Sequence, residues 1–193
     1  MRVKYNAPVL LSFVFACAAI LFLGSIIPGF VEKWFAVPPR ADFHINSPRN
    51  WINLFSHVLG HANFDHLSGN LLLVLIVGPM LEDIYKSIPL LIMMLITALV
   101  TGVMNVLFGP GYLLGASGIV FMMILLASFT NFHKGEIPLT FILVVVIYLG
   151  NELLLGMTRS DNISQFTHII GGACGSLFGF FQKPDSGKTA VKA

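Results

Sequence analysis

The feature that most constrains this chain is its alternation of long uncharged apolar runs with short stretches that hold nearly all of its charge. A helix needs about twenty apolar residues to cross the hydrocarbon core of a bilayer. Backbone inside that core must satisfy its own hydrogen bonds, so each run has to be a helix. With 56 % hydrophobic and 10 % charged residues, the chain does not read as a soluble globular domain. The expected fold is therefore all-α, a polytopic membrane bundle of six transmembrane helices. The spans are expected at about 9–27, 66–82, 89–108, 117–132, 137–157 and 163–181, in one membrane domain over residues 1–183, with a polar tail at 184–193.

The first run follows Arg2 and Lys4, as a signal peptide would. Its length and the lack of a nearby Ala-x-Ala site favour a retained span. Between the first two spans, Pro28 to Ser56 brings together Trp34, Phe35, Pro38, Pro39 and Trp51, a composition suited to a loop in the membrane interface. Seven basic residues fall on the N-terminal side of the membrane (Arg2, Lys4, Lys86, Lys134, Lys183, Lys188, Lys192) and four on the other (Lys33, Arg40, Arg49, Arg159). That balance favours both termini inside. A net charge of +2, without a basic stripe, gives no reason to expect a nucleic-acid partner. Cys17 and Cys174 sit in apolar runs without metal-ligand spacing and read as inert thiols.

Chemistry concentrates at Gly115-Ala116-Ser117-Gly118, after the Gly109-Pro110-Gly111 turn and at the head of an apolar run. A serine at a helix N-terminus faces unpaired N–H groups suited to a developing oxyanion. The alternative is a small-residue patch for close helix packing. About sixteen residues give this span roughly 24 Å, short of a core of about 30 Å. Gly111 to Leu114 would then dip into the membrane as irregular backbone, which is tolerated where it lines a wet cavity.

His168 lies about five residues into the sixth span, one turn before a Gly171, Gly175, Gly179 ridge that lets another helix approach closely. It reads either as a packing histidine or as a general base for Ser117. His66 and Asn70, four apart, share a helix face at the same depth, as oxyanion donors or as interhelical hydrogen-bonding groups. His57 and His61 are also four apart, a spacing seen in zinc sites, but no His-Glu-x-x-His pattern or third ligand accompanies them. Glu152, beside Asn151 near the outer end of the fifth span, is a functional candidate or a partner for Arg159.

Taken together, Gly115-Ala116-Ser117-Gly118, His66-Leu67-Ser68-Gly69-Asn70 and His168 with Gly171 and Gly175 resemble the motifs of the rhomboid family of intramembrane serine proteases, in its six-span bacterial form. The resemblance covers nearly the whole chain. It implies a Ser117–His168 catalytic dyad without an aspartate, and an oxyanion hole formed by the Ser117 N–H, His66 and Asn70. It further implies substrate contacts at Gly115, Ala116 and Phe121, and neither cofactor nor metal. Gly78 and Glu82 would be structural, and the fifth span with its following loop would gate substrate access.

The implied activity is endoproteolysis of single-span or multi-span membrane proteins, cut near the outer ends of their transmembrane helices, with lipid as the other partner and the bacterial cytoplasmic membrane as the location. A catalytically silent relative that binds transmembrane helices, and a six-helix transporter or channel, are the rival readings. Three positions depart from the family pattern. Ile52-Asn53 stands where many relatives carry Trp-Arg, Thr167 replaces a common Ala, and Phe121 replaces a Tyr while keeping a ring to stack on His168.

Overall fold

The computed structural model describes residues 5–130 and 162–182, together with residues 139, 142, 143, 146 and 147. Arg2, Lys4, most of the expected fifth span with Asn151 and Glu152, Arg159 and the tail at 184–193 lie outside the described residues. The described chain is helical: α1 (Pro8–Ile26), α2 (Phe30–Trp34), α3 (Pro48–Ser56), α4 (Phe64–Tyr85), α5 (Ser87–Phe108), α6 (Ser117–Ser128) and α7 (Asn162–Phe181). Short 3-10 turns at Arg40–Asp42 and His57–Leu59 complete the first loop. Among the described residues, α1, α4 and α5 are long and apolar enough to cross a membrane, and α6 is a shorter apolar helix.

Helix α6 is the centre of the bundle. It is apolar all round, and buried residues follow one another from Gly118 to Met123, as expected of a helix surrounded by others. Leu10 and Cys17 of α1, Val74 of α4 and Met93 of α5 share its core cluster. The helix closes at Ser128, earlier than the 132 expected. The Ser128 hydroxyl donates to the Ile124 carbonyl at 3.0 Å, and that of Thr130 to Ala127 at 2.8 Å. Hydroxyls that capture backbone carbonyls in this way compete with continuation of the helix.

Glycine brings α7 close to α6, and α1 close to α4. On α7, a methyl group added at Gly171 would overlap the Gly118 carbonyl, one at Gly175 the Met122 carbonyl, and one at Gly179 the Phe129 ring. The four-residue spacing thus holds α7 against α6 backbone to backbone over two turns. On the other side, α1 is tied to α4. Pro8 opens α1 without a donor, and the N–H groups of Val9 and Leu10 donate to the two Glu82 oxygens, each at 3.0 Å. The Ser87 hydroxyl adds a third hydrogen bond to Glu82 at 2.6 Å. One turn earlier on α4, Gly78 makes room for the Leu10 side chain. A buried carboxylate from one helix therefore caps the N-terminus of another.

The first loop is a folded unit. Asn53, at the position where the motif departs from the family pattern, is buried and donates to the carbonyls of Ala36 (2.8 Å) and Lys33 (3.3 Å). The Ser56 hydroxyl donates to Trp34 at 2.7 Å, and the Trp51 indole to Ile45 at 2.9 Å. The Asn53 and Ser56 bonds tie α3 to α2 and the turn after it.

Candidate active site

The segment from Gly109 to Ala116 has no secondary structure of its own, so its backbone groups need partners elsewhere. The first loop supplies them. Val37 and Leu113 form an antiparallel bridge with N–H to carbonyl distances of 2.8 and 2.9 Å. The Asn105 side chain, from the last turn of α5, donates to Gly111 at 3.0 Å. The Tyr112 hydroxyl donates to the Asp42 carboxylate at 3.0 Å, and this bond holds the phenol above its ordinary pKa.

Nearer the serine, two histidines take over. The Gly115 N–H donates to the His57 carbonyl at 2.9 Å, and the Ala116 N–H to the His61 ring Nε2 at 3.4 Å. His61 donates through Nδ1 to Leu59 at 3.3 Å, which leaves Nε2 as the acceptor and assigns the neutral tautomer. The His57 ring donates to the Ala98 carbonyl at 3.0 Å. Burial pushes both imidazoles down to about 4, opposed only weakly by these backbone acceptors; the neighbouring His66 ring lowers His61 further. Both are neutral at pH 7. Among the described residues no group of three or more His, Cys, Asp or Glu side chains could hold a metal. The pair spaced like zinc ligands instead holds the approach to Ser117.

This scaffold delivers Ser117 to the first position of α6. The first helical bond, Val120 N–H to Ala116 carbonyl at 3.0 Å, leaves the N–H groups of Ser117, Gly118 and Ile119 ahead of the ladder. Gly115 has a φ of +121°, which side chains rarely adopt. A methyl there would also sit 2.7 Å from the His66 imidazole. Gly118 is enclosed by the methyls of Thr101 and Thr167, which a side chain would meet at 3.2 and 3.3 Å.

In front of Ser117 lies a cavity of about 370 Å³, bordered also by His66, Asn70, Phe121 and His168, with Asp65 at its rim. His66 and Asn70 come from the first two turns of α4, which starts at Phe64 behind an Asn63 cap that accepts the His66 N–H at 2.8 Å. Asn70 donates one amide hydrogen to the His66 carbonyl at 3.0 Å, leaving the other for the cavity. The Phe121 ring stacks on His168 with centroids 4.1 Å apart and planes 10° from parallel. The rings of His61 and His66 meet edge to face at 5.1 Å. Gly115 and Ala116 are buried behind the cavity rather than on its wall.

The structure thus brings Ser117, His168, His66, Asn70 and Phe121 to one cavity from three helices. Such a set can perform acyl transfer: a hydroxyl at a positive helix end, an imidazole across from it, and amide and imidazole donors at the side. Sequence reasoning missed the contribution of His57, His61, Val37 and Asn105. The four-residue histidine spacing is a visible signal, but it suggests a metal pair without a third ligand and leaves the role of the two rings open.

Fold and site together define an integral membrane protein of packed helices with a serine and a histidine on one open cavity. The Rhomboid domain family model matches residues 48–184, well over half of the sequence, and the chain belongs to the rhomboid family. The chain is also 31 % identical over 131 residues to Rhomboid protease GlpG of Haemophilus influenzae (strain ATCC 51907 / DSM 11121 / KW20 / Rd). That alignment covers 65 % of this chain and 66 % of the relative, so the chain spans just under two thirds of the relative's length.

Proposed function

We propose that this protein is an intramembrane serine endopeptidase with Ser117 as nucleophile and His168 as general base and acid. The bundle has six spans in one domain over residues 1–183, both termini lie inside, and the cavity opens toward the outer face of a bacterial cytoplasmic membrane. The observation that supports this most is the shared cavity of Ser117 at the N-terminus of α6, His168 on α7, and His66 with Asn70 on α4.

In the reaction, Ser117 Oγ attacks the substrate carbonyl as its proton passes to His168. The negative charge on the tetrahedral intermediate is met by the Ser117 N–H, the free Asn70 amide hydrogen and the His66 ring. His168, held flat against Phe121, returns the proton to the leaving amine. Water entering the cavity then hydrolyses the acyl-enzyme, with His168 again as base. Phe121 borders the substrate chain, while Gly115 and Ala116 shape the turn behind the cavity. No metal or cofactor takes part.

The substrate is a transmembrane helix of another protein. Helical backbone is closed to a nucleophile, so the segment cut must unwind, and small or helix-weakening residues are favoured there. The test is cleavage of a single-span substrate in proteoliposomes by the intact protein, Ser117→Ala and His168→Ala. Cleavage by the intact protein alone is expected, and equal cleavage by all three ends the proposal.

A further inference from the structure

A second cavity, of about 530 Å³, lies away from Ser117, between the first half of α1 and the first half of α5. Pro8, Phe13 and Ala16 form one wall, Leu91 and Leu95 the other, and Val58 with Ile119 close its inner end. Ser12 brings the one side-chain hydroxyl, already paired with that of Tyr5 at 3.0 Å. A buried water needs two to four polar partners. This groove does not provide them, so it is not a water site.

Its position is that of a single bilayer leaflet. Pro8 to Ala16 covers roughly 12 Å of helix rise, and Leu91 to Ala98 roughly 10 Å, against about 15 Å for half the hydrocarbon core. Both walls begin within about a turn of their helix starts, at Pro8 and Ser87, and run toward mid-membrane. Tyr5, exposed beside the Pro8 end of the groove, stands where amphipathic rings meet headgroups. Depth selects the occupant. Closed at its deep end by Val58 and Ile119, the groove stops near mid-membrane, where a transmembrane helix would run on and an acyl chain of that leaflet ends.

We infer that this groove is a binding site for one phospholipid acyl chain from the leaflet on the Pro8 side. A chain seated there packs against Val58 and Ile119, which adjoin His57 and Gly118 in sequence. The groove shares no lining residue with the Ser117 cavity. Its occupancy requires only that α1 and α5 sit in a bilayer, whatever Ser117 does.

The test uses the full chain in phosphatidylcholine vesicles that contain a minor fraction of phosphatidylcholine bearing a mid-chain diazirine. After irradiation, adducts are mapped by mass spectrometry. Labelling of Phe13, Ala16, Leu91 and Leu95 is expected severalfold above that of Phe22 and Ile76, two bilayer-exposed reference residues at 65 % exposure each. Ala16→Phe and Leu95→Phe, which fill the groove from opposite walls, are expected to bring groove labelling down to the reference level while Phe22 and Ile76 label as before. Groove labelling equal to the reference, or persisting in both variants, overturns the assignment. So does labelling replaced by crosslinks to a second copy or to another protein's helix.

Discussion

Adjacent glycines on α7 offer a paired experiment. A methyl at Gly171 overlaps the Gly118 carbonyl oxygen and lies 2.9 Å from the Gly118 carbonyl carbon and Cα, all backbone atoms that no rotamer change can move. A methyl at Gly172 meets only the Leu125 side chain, at 3.6 Å, an ordinary contact. Both substitutions gain about 1 kcal/mol of helix propensity. Gly171→Ala adds an overpacking cost of about 1–3 kcal/mol, at the upper end because the obstacle is backbone. The two variants should therefore differ by roughly 2–3 kcal/mol in detergent unfolding, with Gly172→Ala equal to or above the parent. Relief of the overlap pushes α7 away from α6. His168, one turn before Gly171, moves with it, and a shift of about 1 Å between reacting groups costs on the order of a hundredfold in rate. Cleavage of a single-span substrate should fall by about that factor for Gly171→Ala and stay near parental for Gly172→Ala. Equal stability and equal cleavage in the two variants would refute the claim that Gly171 sets the distance from His168 to Ser117.

Gly115→Ala should lower kcat with KM little changed, because the new methyl strains a φ of +121° and pushes the His66 ring off the cavity; steady-state kinetics reads both constants. Glu82→Ala should lower stability by about 3 kcal/mol, since the part-buried Val9 N–H and the buried Leu10 N–H both lose their acceptor, at about 1–3 kcal/mol each; unfolding midpoints in detergent measure it. Acid should destabilise the fold through His57 and His61. Their folded pKa values of about 4 lie below the ordinary 6.5, so the unfolded chain binds more protons. Their contribution is complete above pH 6.5 and is lost as pH falls toward 4, at up to about 1.4 kcal/mol per pH unit for each histidine. Unfolding midpoints at pH 7.5 and 5 test this, and replacing His57 by Asn should flatten the slope. Phe121→Leu, which removes the stacked ring, should weaken the positioning of His168 by about 1 kcal/mol and cut cleavage severalfold, while Phe121→Tyr keeps it.

What could be read from the sequence was whatever repeats with a helical period or breaks it. The Gly171, Gly175 and Gly179 spacing announced a close face and α7 presents it to α6, and the short apolar run after Gly115 announced a helix too short to span the bilayer alone. His66 and Asn70 needed only a shared helix face to arrive together. The pairing of Val37 with Leu113, and of His57 and His61 with Gly115 and Ala116, left no such trace. These contacts join irregular segments more than fifty residues apart, where neither periodicity nor propensity acts. The His57–His61 spacing misleads because the 3-10 turn ends at Leu59 and Gly60 turns extended, so the two rings do not share a helix face. Asn53 could not be placed either, since its value lies in two carbonyls on a turn some twenty residues earlier.

The most direct measurement is covalent labelling of the protein in membranes by a fluorophosphonate, a reagent that reacts only with a serine whose proton has somewhere to go. Labelling confined to Ser117, abolished in Ser117→Ala and sharply reduced in His168→Ala, is the predicted result. Labelling that ignores His168, or that falls on a different serine, would contradict a hydroxyl activated by that imidazole.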